Sequence, residues 1–161
     1  MMDQPLFDRE ALAERLAPHR AGGRSLVFTN GCFDILHPGH VRLLTRARSL
    51  GDVLVLGLNS DDSVRRLKGA GRPILRLEER VEVLSALRPV DVIAVFDEDD
   101  PLNLILEVRP QILVKGGDWA PGQVIGRSEV ESWGGRVEIL PLAEGLSTTE
   151  LVRRVRRLGD G

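Results

Sequence analysis

The sequence has one cysteine, no excess of either charge and no long apolar run, and each shortage excludes a class of protein. A lone Cys32 cannot build a disulfide framework or a four-cysteine zinc site. Lys and Arg number 22 and Asp and Glu 24, a net charge of −2, which is not the basic surplus of a dedicated nucleic-acid binder. The apolar stretch at 53–58 is among the longest, far below the roughly 20 residues of a membrane span. The first ten residues carry three acids and no apolar stretch, unlike a secretory signal. A soluble, cytoplasmic protein with no nucleic-acid or membrane partner is expected. Its 161 residues suit one domain, by the prior of roughly 100–200 residues each.

What is present is a regular alternation. Short β-branched and apolar runs at 26–29, 53–58, 92–96, 112–115 and 137–140 read as strands buried on both faces. Helical spacing fits 38–50, 61–67, 77–87, 101–108, 128–133 and 148–158. The pattern predicts an α/β fold: a Rossmann-like, five-stranded parallel sheet with helices on both faces. Residues 1–23 read as an N-terminal helical extension and 24–161 as the main domain. In the extension Asp8 is placed to cap a short helix carrying Leu12 and Leu16 on one face, and Pro18 to break it. At the far end, Leu151, Val152, Val155 and Leu158 predict a core stripe, with Arg153, Arg154, Arg156 and Arg157 on the solvated face.

In such a fold ligands sit beyond the carboxyl ends of the strands. The first strand runs into Thr29-Asn30-Gly31-Cys32-Phe33-Asp34-Ile35-Leu36-His37-Pro38-Gly39-His40. Pro38 suits the first turn of a helix, and Gly39 would leave the backbone open to a ligand. His37 and His40 lie three apart at the helix start, beside N–H groups expected to be unpaired, which makes an anion site. A surface or capping role is the plain alternative, and Cys32, His37 and His40 as three zinc ligands is another. Neither the G-x-G-x-x-G nor the P-loop spacing is present.

Three later segments carry further polar groups. Lys68-Gly69-Ala70-Gly71-Arg72 is either a solvated turn or a flexible clamp that brings cations to phosphates. Lys115-Gly116-Gly117-Asp118 puts a donor and an acceptor around two glycines at a strand tip. Ser147 with Glu150 is a capping box, which leaves the Thr148 and Thr149 hydroxyls to spare at a second helix start. Taken alone, Arg80 reads as a surface ion-pair residue.

Gly31-Cys32-Phe33-Asp34 followed by His37-x-Gly39-His40 resembles the signature of the nucleotidyltransferase superfamily with the H-x-G-H motif. The resemblance spans about 25–155. It is similar to the D-glycero-β-D-manno-heptose 1-phosphate adenylyltransferases at Thr29-Asn30-Gly31, Asn59-Ser60-Asp61, Leu67-Lys68-Gly69, Arg72-Pro73, Lys115-Gly116-Gly117-Asp118 and Gly145-x-Ser147-Thr148-Thr149. The competing branch, the glycerol-3-phosphate cytidylyltransferases, has Arg where Leu142 stands. A non-catalytic nucleotide sensor on this fold would be expected to lack the histidines.

The resemblance implies transfer of AMP from ATP to the sugar phosphate, with Mg²⁺ accompanying ATP and no metal site made by the protein. It implies catalytic roles for His40, His37, Lys68 and Arg80. The nucleotide would meet Thr29, Asn30, Gly31, Phe33 and Asp34 in the first loop, then His37, Gly39 and His40. Arg80, Lys115, Gly116, Ser147, Thr148 and Thr149 would complete that site. The acceptor would meet Asp34, Asn59, Lys68, Arg72 and Asp118. In many bacteria such a domain is fused behind a sugar kinase; none is present in this sequence, so a separate heptose kinase is the expected partner. A homo-oligomer is compatible with this reading.

Overall fold

The computed structural model describes residues 9–142 and 144–159. Its order is α1 (Leu12–Ala21), β1 (Leu26–Gly31), α2 (Pro38–Arg48), β2 (Val53–Asn59), α3 (Asp61–Lys68), α4 (Leu77–Ser85), β3 (Val92–Phe96), α5 (Leu102–Val108), β4 (Ile112–Gly116), α6 (Arg127–Ser132), β5 (Arg136–Leu140) and α7 (Thr148–Gly159). The five strands form one parallel sheet in the order β3-β2-β1-β4-β5. This is the expected Rossmann-like sheet. The chain winds from β1 outward to β3 and then crosses to β4 on the other side. The loops after β1 and β4 therefore diverge and open a crevice between them.

Alternate strand residues face opposite layers. Leu26, Phe28, Val53, Val55 and Leu113 pack on α1, α5 and α6. Val27, Leu54, Leu56, Ile93 and Val114 pack on α2 and α4. All seven residues of β2 are buried, as a central parallel strand requires. β5 departs from the expectation. It is an edge strand, mostly half-exposed, with Arg136 and Glu138 paired at 3.0 Å on its open side.

The two ends of the chain also differ from the sequence reading. Leu12 and Leu16 are buried in the same core as the sheet, so α1 is part of the domain's packing. Pro18 does not break α1, which continues to Ala21. A proline at the seventh helical position has no N–H to give, but the helix ends within a turn of it, at Ala21, so little remains to disrupt. Asp8 lies outside the described residues, and the N-cap is Ala11, with no side-chain cap. Arg9 ties this end down by pairing with Glu98 at 2.7 Å and Glu107 at 2.6 Å.

The core stripe expected on α7 is absent: no residue of that helix is buried, and Leu158 is 82% exposed. Leu151 and Val152 are half-buried and Val155 and Leu158 exposed, so the amphipathic pattern has no full facing layer within the described residues.

Candidate active site

The crevice is floored by the tips of β1 and β4. There Lys115 donates from Nζ to the Asn30 side-chain oxygen, joining neighbouring strands. Burial lowers the Lys115 pKa to about 8, against a smaller opposing effect of Asp100. Thr29, one residue deeper, donates its hydroxyl to the Val114 carbonyl at 3.0 Å and is buried. Its side chain serves the sheet rather than the crevice.

His37 is the N-cap of α2. Its Nδ1 accepts from the Gly39 N–H at 3.1 Å, and its carbonyl accepts from the His40 N–H at 3.0 Å. Pro38 has no N–H. The first-turn donors expected to be unpaired are therefore satisfied by His37 itself. Anion binding here falls to the rings. Because Nδ1 accepts, the neutral His37 ring carries its proton on Nε2 and is a donor from that edge. Gly39 is buried rather than open to a ligand. A side chain there would meet the His37 ring at 2.9 Å and the Leu146 Cβ at 3.5 Å.

The His37 and His40 rings stack with centroids 3.8 Å apart. Phe33 lies 4.9 Å from His40 on another side. Phe33 has a φ of 45°, unusual for a bulky residue. Gly31 makes room for it, since a Cβ at 31 would lie 2.8 Å from the Phe33 ring. Burial, and secondarily His37, lowers the His40 pKa to about 4, and burial also lowers that of His37. His40 Nδ1 is enclosed without a partner, whereas Nε2 is not enclosed in this way.

Several expected ligand contacts are engaged within the protein. Asp34 is buried; its carboxylate accepts from the Ile74 and Leu75 N–H groups and pairs with Arg72 at 3.2 Å. It clamps the loop that follows α3. Asn59 is buried and donates to the Ser63 hydroxyl at 3.0 Å.

Arg80 is not the surface residue that its neighbours in sequence suggest: its side chain is fully enclosed. It donates to the Cys32 and Asn59 carbonyls at 2.7 and 2.9 Å and pairs with Asp61 at 2.8 Å. It thereby holds the β1 and β2 loops together. Asp91, after Val90, accepts from the Leu54 N–H and pairs with Arg48, each at 2.7 Å.

Cys32 is not brought to the histidines as a zinc site. Its Sγ lies 3.9 Å from Asn59 Oδ1, burial raises its pKa, and no group of three or more metal-ligating side chains forms among the described residues.

The second helix start lies beside the first. Thr148 donates its hydroxyl to the Ile35 carbonyl at 3.2 Å, and Ser147 accepts from the Glu150 N–H at 3.1 Å. Glu150 itself turns to Arg157 at 3.0 Å, so only the serine half of the box forms. Thr149 is 3.5 Å from Arg72. Between the 68–72 loop and α7 is an open cleft of about 390 Å³ lined by Lys68, Arg72, Thr149, Val152, Arg153 and Arg156, among others. Arg153 and Arg156 were expected only on a solvated face. Their spacing from Thr149, four and seven residues, already puts all three on one side of a helix.

At the β4 tip, Gly116 gives its carbonyl to the Trp119 indole N–H at 3.0 Å, and Asp118 is exposed. Leu142 packs over this turn: a Cβ on Gly116 would lie 2.8 Å from it.

A parallel α/β sheet with two imidazoles at its switch point and cations around the neighbouring helix start defines a class of enzyme that works on nucleotide phosphates. The comparisons narrow it. Residues 28–154 match the family described as Cytidylyltransferase-like, and the chain belongs to that family; it is a nucleotidyltransferase. It is 54% identical over 153 residues to the bifunctional protein HldE of Trichlorobacter lovleyi, covering 95% of this chain and 31% of that protein. It is 56% identical to HldE of Syntrophotalea carbinolica, with the same two coverages. The chain thus spans 31% of the length of these curated relatives. Among solved structures it is similar to the lipopolysaccharide core biosynthesis protein from Thermoplasma volcanium GSS1. That likeness has a TM-score of 0.61 at 30% identity, over 75% of this chain and 98% of that one.

Proposed function

We propose that the chain transfers AMP from ATP to D-glycero-β-D-manno-heptose 1-phosphate, giving ADP-heptose and pyrophosphate. The observation that carries this reading is the stacked His37–His40 pair at the crevice between β1 and β4. The resemblance to HldE proteins and to a lipopolysaccharide core protein supports a heptose as the acceptor. Leu142 over the Gly116-Gly117 turn, where the cytidylyltransferase branch has Arg, supports it further.

In this reading an acceptor phosphate oxygen attacks the α-phosphorus. The bond from that phosphorus to the bridging oxygen breaks, and its electron pair leaves with pyrophosphate. The attacking oxygen is already anionic, so no side chain need be activated as a nucleophile; positioning and charge stabilisation are the protein's part. His37, donating from Nε2, and His40 stabilise charge growing on the α-phosphate. Lys68 and the 147–149 helix start hold phosphates. Arg80 and Asp34 act through the loops they fix. Lys115, Asn30 and Asp118 face nucleotide and sugar hydroxyls.

Mg²⁺ would accompany ATP and would screen the triphosphate. The Asp34 carboxylate near the histidines is taken by the Ile74 and Leu75 N–H groups, so phosphate and water oxygens would supply its ligands. A heptose kinase would supply the acceptor, and both reactions would take place in the cytoplasm. Pyrophosphate release across a matrix of nucleoside triphosphates and sugar phosphates tests the reading. ATP with the heptose 1-phosphate should be the best pair, and no release with any sugar phosphate would refute it.

A further inference from the structure

The loop between β3 and α5 carries four consecutive acids, Asp97, Glu98, Asp99 and Asp100. Three are matched by arginines: Asp97 and Asp99 pair with Arg66 at 3.6 and 2.8 Å, and Glu98 pairs with Arg9 at 2.7 Å. Asp100 has no ion pair of this kind among the described residues. It is exposed, and its Oδ1 accepts from the Leu102 N–H at 2.9 Å. That bond fixes the carboxylate and leaves its second oxygen to spare.

The fold brings this carboxylate to the crevice. α5 packs on the sheet face opposite α2. Its first turn reaches the β1 tip: a Cβ on Gly57 would lie 3.1 Å from the Asn30 Cβ and 3.2 Å from Leu104 Cδ2. Asp100 stands just ahead of that turn, and it is the acid whose charge acts on the buried Lys115. Asn30 spends its side-chain oxygen on Lys115, so its amide N–H groups and the remaining ammonium N–H groups can only donate. Asp100 supplies the acceptor that this pair lacks. A carboxylate repels a phosphate, so this side of the crevice suits a neutral group that both gives and takes hydrogen bonds. A sugar hydroxyl is such a group. We propose that Asp100, with Asn30 and Lys115, reads a hydroxyl of the acceptor sugar and so helps to set acceptor choice. This rests on the nucleotidyl-transfer reading above and adds a residue that neither the motif nor the resemblance supplies. The hydroxyl donates to the Asp100 carboxylate and accepts from Lys115 or Asn30, while the acceptor's phosphate lies toward the histidines on the α2 side. An acceptor without that hydroxyl leaves these polar groups unpaired.

Calorimetric titration of the heptose 1-phosphate into the full chain, in the presence of α,β-methylene-ATP, measures acceptor binding without turnover. Asp100→Asn and Asp100→Ser should each weaken that binding about 10-fold, the scale of one charge-assisted hydrogen bond. Both replacements can still accept from the Leu102 N–H, so α5 keeps its cap, with unchanged melting as the check. Asp99→Asn, which removes the neighbouring exposed acid, should change acceptor binding by less than about 2-fold. In turnover the acceptor KM should rise by a similar factor in the Asp100 variants, with the KM for ATP unmoved. Among single-deoxy analogues of the acceptor, wild type should disfavour one by about 10-fold, and Asp100→Ser should not distinguish it from the parent sugar. Unchanged acceptor binding in both Asp100 variants, an equal loss in Asp99→Asn, or an equal loss for the ATP analogue would overturn the role. If acceptor binding depends on Asp100 but no AMP is transferred, the transfer reading fails and the sugar contact stands. If AMP is transferred and neither variant moves the acceptor KM, the contact fails and the transfer reading stands. Absence of binding by any sugar phosphate would overturn both.

Discussion

His37 and His40 stack ring on ring, with centroids 3.8 Å apart and planes inclined by 23°. Two imidazolium ions could not share that separation cheaply in a half-buried place. Burial already disfavours charge on each ring, and His37 adds to the effect on His40. At neutral pH the pair offers N–H dipoles rather than charge, and those dipoles are fixed in direction before a phosphate arrives.

Stability should therefore fall in mild acid. The folded His40 ring stays neutral down to about pH 4, while an unfolded imidazole takes its proton near 6.5. Between these values the unfolded state binds more protons, so the stabilisation is full above about pH 6.5 and is lost as pH falls toward 4. His37, shifted in the same direction, adds to the slope. Urea unfolding at about pH 7.5 and about pH 5 should show a larger loss for wild type than for His40→Asn. Equal losses would contradict this.

His40→Ala should lower kcat by about 10²–10³, the scale for removing one preorganised donor to a developing oxyanion. The KM for ATP should change much less, because the phosphates keep their other contacts. Steady-state kinetics with pyrophosphate release as the signal would show it. Wild-type turnover would rule out the role.

Arg80→Lys should destabilise the fold by about 1–3 kcal/mol, since one ammonium cannot fork to two carbonyls and Asp61 and so leaves a buried acceptor unsatisfied. Denaturant unfolding measures it. Unchanged stability would mean that Arg80 does not hold the two loops together.

The sheet was legible because its central strands are continuous apolar runs between turn residues, as at 53–58. The histidine pair was legible from its spacing and from Pro38 at the helix start. Other features depend on contacts that no local pattern contains. Nothing beside Arg80 in the sequence says that its guanidinium reaches the carbonyls of Cys32 and Asn59. Asp34 and Thr29 are in the right motif, but their oxygens are engaged by Ile74, Leu75 and Val114. The Gly39 reading failed because His37 folds back over it. The α7 stripe failed for the opposite reason: the periodicity is real, but no layer within the described residues covers it.

Cys32→Val should keep most of the activity. The thiol is partly buried, burial raises its pKa, and its nearest polar neighbour is the Asn59 side chain at 3.9 Å. A buried thiol of this kind behaves as a small apolar residue. Loss of most turnover, with the fold intact by circular dichroism, would show that the sulfur takes part.

The most direct test of the proposed activity compares two substrate pairs on one enzyme. It sets kcat/KM for heptose 1-phosphate with ATP against kcat/KM for glycerol 3-phosphate with CTP. If Asp118 and Lys115 meet sugar hydroxyls as proposed, the site can reject an acceptor lacking them by as much as about 10⁴–10⁵. The expected result is efficient use of the heptose with ATP and negligible use of glycerol 3-phosphate. If glycerol 3-phosphate with CTP is the better pair, the heptose assignment is wrong and the chain is a cytidylyltransferase.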